Sequence, residues 1–161
     1  MKRAVVITGA QSTGNHLMTR ILVDSGFIGT VDGHQVFWDE VILGDELPSG
    51  NYREYTEDSD KRFVFRGSMP KGGPGWWDIK GAVEKLEFYG YSVVMIVMHR
   101  DVFSTASSQV YKYKESIPTF EKALEEIQMA YRHIYRYDMP YVPVTYESLV
   151  FQRDATIKHL G

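Results

Sequence analysis

The stretch "YSVVMIVMH", residues 91–99, constrains the fold more than any other. Its apolar residues run on without polar alternation, so the strand they form must be covered on both faces. The run is too short for a membrane span, which takes about 20 apolar residues. A strand buried on both faces belongs in a mostly parallel sheet with helices on each side. The remaining chain fits that plan. "AVVIT", residues 4–8, predicts a second strand, and "RFVF", 62–65, and "YVPVTY", 141–146, predict two more. Helices are expected over 14–25, 78–89, 102–113, 118–136 and 152–160. The first stops at Gly26, a favoured residue just past a helix end. Ile79, Val83 and Leu86 mark the inner face of the second, and Leu124, Ile127, Tyr131 and Ile134 that of the fourth. Residues 44–61 are polar and turn-rich and read as surface loop; "GSMPKGGPGWWD", 67–78, reads as a glycine- and proline-rich loop. The expected fold class is α/β, a three-layer sandwich around a mostly parallel sheet. Ligands of such folds bind at the carboxyl ends of the strands.

Composition narrows the function. The 161 residues fit one domain, spanning 1–161. With 43% hydrophobic and 14% aromatic residues, the chain can build a core and is not of the disordered class. A net charge of -3 gives no overall attraction to nucleic acid, so no such partner is expected. The absence of cysteine excludes disulfides and thiolate zinc sites and fits a cytoplasmic protein. "MKRAVVITGA" is basic at its start, but its apolar run is short and turns polar at once, so it reads as a strand rather than a signal peptide. No membrane partner is expected.

"GAQSTGNHL", residues 9–17, lies between the first strand and the first helix. Strand, glycine loop and helix in that order make a phosphate site, because backbone N–H groups converge at a helix N-terminus whose dipole attracts anions. Gly9 and Gly14 provide the turn. Gln11, Ser12, Thr13, Asn15 and His16 complete the candidate lining, and Ser12, Thr13 and Asn15 can add hydrogen bonds. A nucleotide triphosphatase carries lysine where this chain has Asn15, and the magnesium-binding hydroxyl where it has His16. Neither a triphosphate nor a metal is therefore expected.

Four segments, in order, resemble the P-loop sulfotransferases, which use 3′-phosphoadenosine 5′-phosphosulfate as donor. "QSTGNHLM" is similar to that family's 5′-phosphosulfate loop, with Gly14 on its glycine, Ser12 where the family has Lys or Arg, and Asn15 and His16 on its Ser/Thr pair. "RFVFRGSMP" is similar to its second strand, with Arg66 at the position of a lysine near the sulfuryl group and Ser68 at that of a catalytic histidine. "VVMIVMHRDVFSTASSQ" carries Arg100 and, eight residues on, Ser108, the spacing of the family's 3′-phosphate site, with Ser104 and Ser107 as neighbouring alternatives. "VPVTYESLVFQRDATIKHLG" puts Tyr146 where a tyrosine lies near adenine. The chain closes at "HLG" without the basic segment with which larger members clamp the 3′-phosphate, which would make it a short member. The resemblance implies a P-loop NTPase-like sheet and sulfuryl transfer from this donor to a hydroxyl or amine. The acceptor would be a small molecule or glycan, no metal would be needed, and adenosine 3′,5′-bisphosphate would leave.

Such a transfer needs a base. Ser68 cannot serve near neutral pH. His34, in "SGFIGTVDGHQVFWDE", stands where related enzymes often keep one, and Glu40, His16 and His99 are the other candidates. His16 can instead contact the sulfuryl oxygens, and Arg66 can supply the charge that the loop lacks. The catalytic candidates are thus His34, Arg66 and His16. His133 and His159 read as surface residues on amphipathic helices. Trp76 and Trp77 form either an acceptor wall or a cap on the core. A nucleotide kinase and a sulfonucleotide-binding module without turnover remain as alternatives.

Overall fold

The computed structural model describes residues 2–27, 62–69, 76 and 78–159. Four strands form one all-parallel sheet: β1 (Arg3–Ala10), β2 (Arg62–Met69), β3 (Ser92–His99) and β4 (Val142–Thr145). Their spatial order is β2-β1-β3-β4. The helices are α1 (Asn15–Asp24), α2 (Ile79–Phe88), α3 (Val102–Lys112), α4 (Phe120–Tyr135), α5 (Tyr146–Phe151) and α6 (Arg153–His159).

The strands bury both faces, as the apolar runs require. On one side Met18, Ile21 and Leu22 of α1 and Leu149 of α5 pack on Val5, Ile7, Val64, Ile96, Met98 and Val144. On the other, Ile79 and Leu86 of α2, Ala106 of α3 and Ile127, Ala130 and Ile134 of α4 cover Val6, Phe63, Phe65, Met95 and Val97. Burying one large side chain such as Phe65 contributes about 1.5–3 kcal/mol. The small residues Ala123 and Ala130, both fully buried, let α4 lie close on the sheet. Pro143 sits in β4, an edge of the described sheet, where a missing backbone donor is tolerated.

Helix starts follow local chemistry. Asp78, Asp101, Thr119 and Thr145 cap α2, α3, α4 and α5 by accepting from the backbone N–H of Gly81, Ser104, Lys122 and Ser148. The start of α1 differs: its N-cap is Gly14, left-handed at φ 99°, with no side-chain cap.

The expected strands and helices form, with three differences. β2 continues past Phe65 to Met69, through Arg66 and through Gly67 and Ser68, which read as the start of a loop because they are flexible and polar. Residues 146–151 are helical: the strand expected over 141–146 stops at Thr145, and no element was expected over 147–151. His133 is buried at 8% exposure rather than on the surface, because the inner face of α4 is broadened by its alanines. No helix among the described residues is long and apolar enough to cross a membrane.

Candidate functional site

The sheet order fixes where a ligand belongs. β1 lies between β2 and β3, so the loops leaving β1 and β3 diverge to opposite faces, and the crevice between them is the switch point at which parallel sheets bind ligands. The loop at 9–17 and Arg100 meet there.

The loop is held from inside. Thr13 Oγ1 donates to Ala10 O at 2.7 Å. Asn15 Nδ2 donates to Ser68 Oγ at 2.8 Å and to Ala10 O at 3.3 Å. Gln11 N–H donates to Met69 O at 2.8 Å. Asn15, at the position where a triphosphatase keeps lysine, is thus a staple between loop and β2. The side-chain donors of Thr13 and Asn15 are committed within the protein. What this leaves for an anion is the backbone at the uncapped start of α1, where first-turn N–H groups have no intrahelical acceptor. Ser12, left-handed at φ 69°, keeps a buried Oγ with no partner among the described residues. His16 is exposed on the first turn of α1.

The two glycines are required by their surroundings. A Cβ on Gly9 would lie 2.6 Å from Met98 O, so β1 could not approach β3 at the loop. A Cβ on Gly14 would lie 2.7 Å from Cδ2 of Tyr146, and its left-handed backbone also disfavours a side chain.

Three segments remote in sequence close on this loop. Arg100 Nη1 donates to Ser12 O at 3.2 Å, and its guanidinium lies 4.5 Å from the Tyr146 ring centroid. Tyr146 in turn packs on Gly14. Gln109 Nε2 donates to Gln11 O at 2.9 Å, fastening α3 to the loop. Ser108, its neighbour, is half-buried on the same helix. Asp101, after Arg100, caps α3, and the Ser104 backbone N–H holds its carboxyl below the usual range. Sequence reasoning missed Gln109, because its burial and its reach to the loop show only in the fold.

On the other flank of β1, Arg66 is 7% exposed. Ser68 reaches α1 through Asn15, and Arg66, two residues earlier on the same strand, faces the same way. Its Nη1 is buried without a hydrogen-bond partner among the described residues. Burial lowers its pKa, yet a guanidinium stays charged. A buried cation lacking a counter-ion is costly and calls for explanation.

A second concavity opens on the α4 side of the β3 end. His99 stacks on Tyr131, and Tyr135 OH shares a 2.9 Å hydrogen bond with His99 Nε2. Burial lowers the His99 pKa. It also pushes the Tyr131 phenol up to about 12, a hydrogen bond with the Ala10 backbone opposing. Trp76 lies against His133 of α4, ring centroids 5.1 Å apart, which favours a cap on the core. His34, Glu40 and Trp77 lie outside the described residues. No group of three or more potential metal-ligating side chains occurs among the described residues. Comparison with family models, curated proteins and solved structures finds no match to the chain.

Proposed function

We propose that the chain is a sulfotransferase of P-loop type, passing a sulfuryl group from 3′-phosphoadenosine 5′-phosphosulfate to a hydroxyl or amine of a small-molecule or glycan acceptor. One observation carries this reading: the contact of the loop at 9–17 with both Arg100 and Tyr146, three segments singled out independently in the sequence. In this reading the 5′-phosphosulfate sits on the backbone N–H groups at the start of α1, and Gly9, Gln11, Ser12, Thr13, Gly14, Asn15 and His16 shape its cradle. Arg100 and Ser108 hold the 3′-phosphate by charge-assisted hydrogen bonds, and Tyr146 lies beside the base.

The transfer is an in-line displacement. The acceptor oxygen or nitrogen forms its bond to sulfur as the bond from sulfur to the 5′-phosphate oxygen breaks. A base takes the acceptor proton, and adenosine 3′,5′-bisphosphate leaves with the electron pair. Positioning and charge stabilisation supply most of the acceleration, as in phosphoryl transfer. Arg66, buried in β2 on the α1 side of the sheet with an Nη1 unpartnered among the described residues, is suited to the charge that develops on the sulfuryl and bridging oxygens. His34 is the proposed base, and His16 contacts the sulfuryl oxygens. The staple from Asn15 to Ser68 favours one competing reading, a sulfonucleotide-binding module without turnover, since it takes up the side chain at the lysine position.

Radiolabelled donor and a broad acceptor panel separate the two. An enzyme transfers label, and His34→Ala should lower the rate about a hundredfold while leaving nucleotide affinity intact. Tight nucleotide binding with no transfer to any acceptor contradicts the enzyme and leaves the binding module.

A further inference from the structure

The concavity at the β3 end is a site in its own right. It has a volume of about 600 Å³, inside the usual range for small-molecule pockets. His99 shares its face of β3 with Met95 and Val97, which pack under α2, α3 and α4, so the cleft lies across the sheet from α1. Its back wall is a shelf of nearly parallel rings: His99 on Tyr131 at 4.9 Å and 1°, and Tyr131 on Tyr135 at 5.9 Å and 16°. The polar tips of the shelf are already satisfied. Tyr131 donates to Met98 O at 2.8 Å, and Tyr135 OH pairs with His99. The rings are therefore fixed in orientation before any ligand arrives.

Among the described residues, charge at the cleft has one sign. Arg100 and Arg132 line it, and none of its described lining residues is Asp or Glu. The Arg100 guanidinium is engaged with Ser12 O and the Tyr146 ring. Arg132, exposed on α4, has no carboxylate partner among the described residues and is the available cation. Gln128, one helical turn before Arg132, adds an amide to the same wall. Planar ring faces prefer to stack, and a guanidinium binds carboxylate, phosphate or sulfate oxygens in pairs.

We propose that this cleft binds a planar aromatic anion, its ring stacked on the shelf of His99, Tyr131 and Tyr135 and its acidic group held by Arg132. The site does not depend on the nucleotide reading, because the cation assigned to the acidic group is Arg132; Arg100, which also lines the cleft, is engaged with Ser12 O and the Tyr146 ring.

The probe is 1-naphthoate, followed by amide chemical shifts of the intact protein. Ligands of this size commonly bind at about 1 mM. Shifts should gather on α4 and the end of β3. Cyclohexanecarboxylate, which lacks the ring face, and 1-naphthalenemethanol, which lacks the charge, should each bind about tenfold more weakly. Arg132→Gln should weaken naphthoate about tenfold, and Gln128→Glu, which sets a like charge against the ligand, should weaken it at least as much. Both positions lie on an already folded helix, and the amide spectrum of each variant reports its fold directly. A flat titration to about 10 mM overturns the proposal. Equal binding of the three probes, unchanged affinity in Arg132→Gln, or displacement by adenosine 3′,5′-bisphosphate does so as well.

Discussion

Two arginines flank β1, Arg100 just past the carboxyl end of β3 and Arg66 within β2 opposite Ile7, and they are treated in opposite ways. Arg100, after β3, is half-buried and engaged: it donates to Ser12 O and lies over Tyr146. Arg66, in β2, is 7% exposed, and its Nη1 has no partner among the described residues. The first holds a loop in shape. The second carries a charge in a place where charge is expensive, and no described interaction repays it. A paired cation can be explained by structure alone. An unpaired buried one is explained better by a ligand that is charged the other way.

The sharpest way to break this contrast is Arg66→Met. If Arg66 serves an anionic ligand rather than the fold, removing it should lower sulfuryl transfer about a hundredfold, the scale of losing one charge-stabilising donor. The same change should raise the stability of the unliganded protein by about 1–3 kcal/mol, because an apolar side chain suits the site better than an uncompensated charge. Urea denaturation reads the second effect; a loss of stability would assign Arg66 to the fold. Arg100→Lys should behave differently. An ammonium cannot make two parallel bonds, so affinity for a 3′-phosphorylated nucleotide should fall by about 1.5–3 kcal/mol, with little change for nucleotides lacking that phosphate. Calorimetry on both nucleotides tells whether Arg100 acts on the phosphate or only on Ser12.

Gly14→Ala probes the paired side more locally. Its left-handed φ and the 2.7 Å approach to Tyr146 predict a loss of about 1–3 kcal/mol. Combining it with Tyr146→Ala should recover the part due to the clash but not the part due to φ, which a double-mutant cycle separates.

The smallest expected effect is a pH dependence from His99. Burial lowers its folded pKa below the usual value. Its contribution is therefore fully present above the unfolded pKa of about 6.5 and is lost as pH falls toward the folded pKa, since the unfolded chain takes up the proton first. Arg100 and Arg132 line the same cleft, and the raised Tyr131 and Tyr135 phenols stay neutral. His99→Gln should flatten the stability profile between pH 7 and about 5.5 by a fraction of 1 kcal/mol.

How far the sequence foretold this contrast depends on the side of β1. Around β3 it was legible. The apolar run at 93–98 marks the strand, a helix was expected from 102, and Arg100 falls between them. Around β2 it was not. Gly67 and Ser68 look like the start of a loop because glycine and polarity usually end a strand; only the pairing of Gly67, Ser68 and Met69 with Thr8, Gly9 and Ala10 of β1 shows that the strand continues. The burial of Arg66 is likewise a property of the neighbours, not of the residue type. The short helix α5 was missed because "TYESLVF" starts with residues suited to a strand, although Thr145 and Ser148 stand at capping distance. His34 falls outside the described residues, so the proposed base rests on its place in the sequence.

One measurement tests the central claim most directly: thermal denaturation without magnesium, comparing adenosine 3′,5′-bisphosphate with ADP at equal concentration. A site that spans the loop at 9–17 and Arg100 predicts a clearly larger shift for the 3′-phosphorylated nucleotide, worth roughly 2.7 kcal/mol at a hundred times its dissociation constant. Equal shifts for the two nucleotides, or none for either, would contradict it.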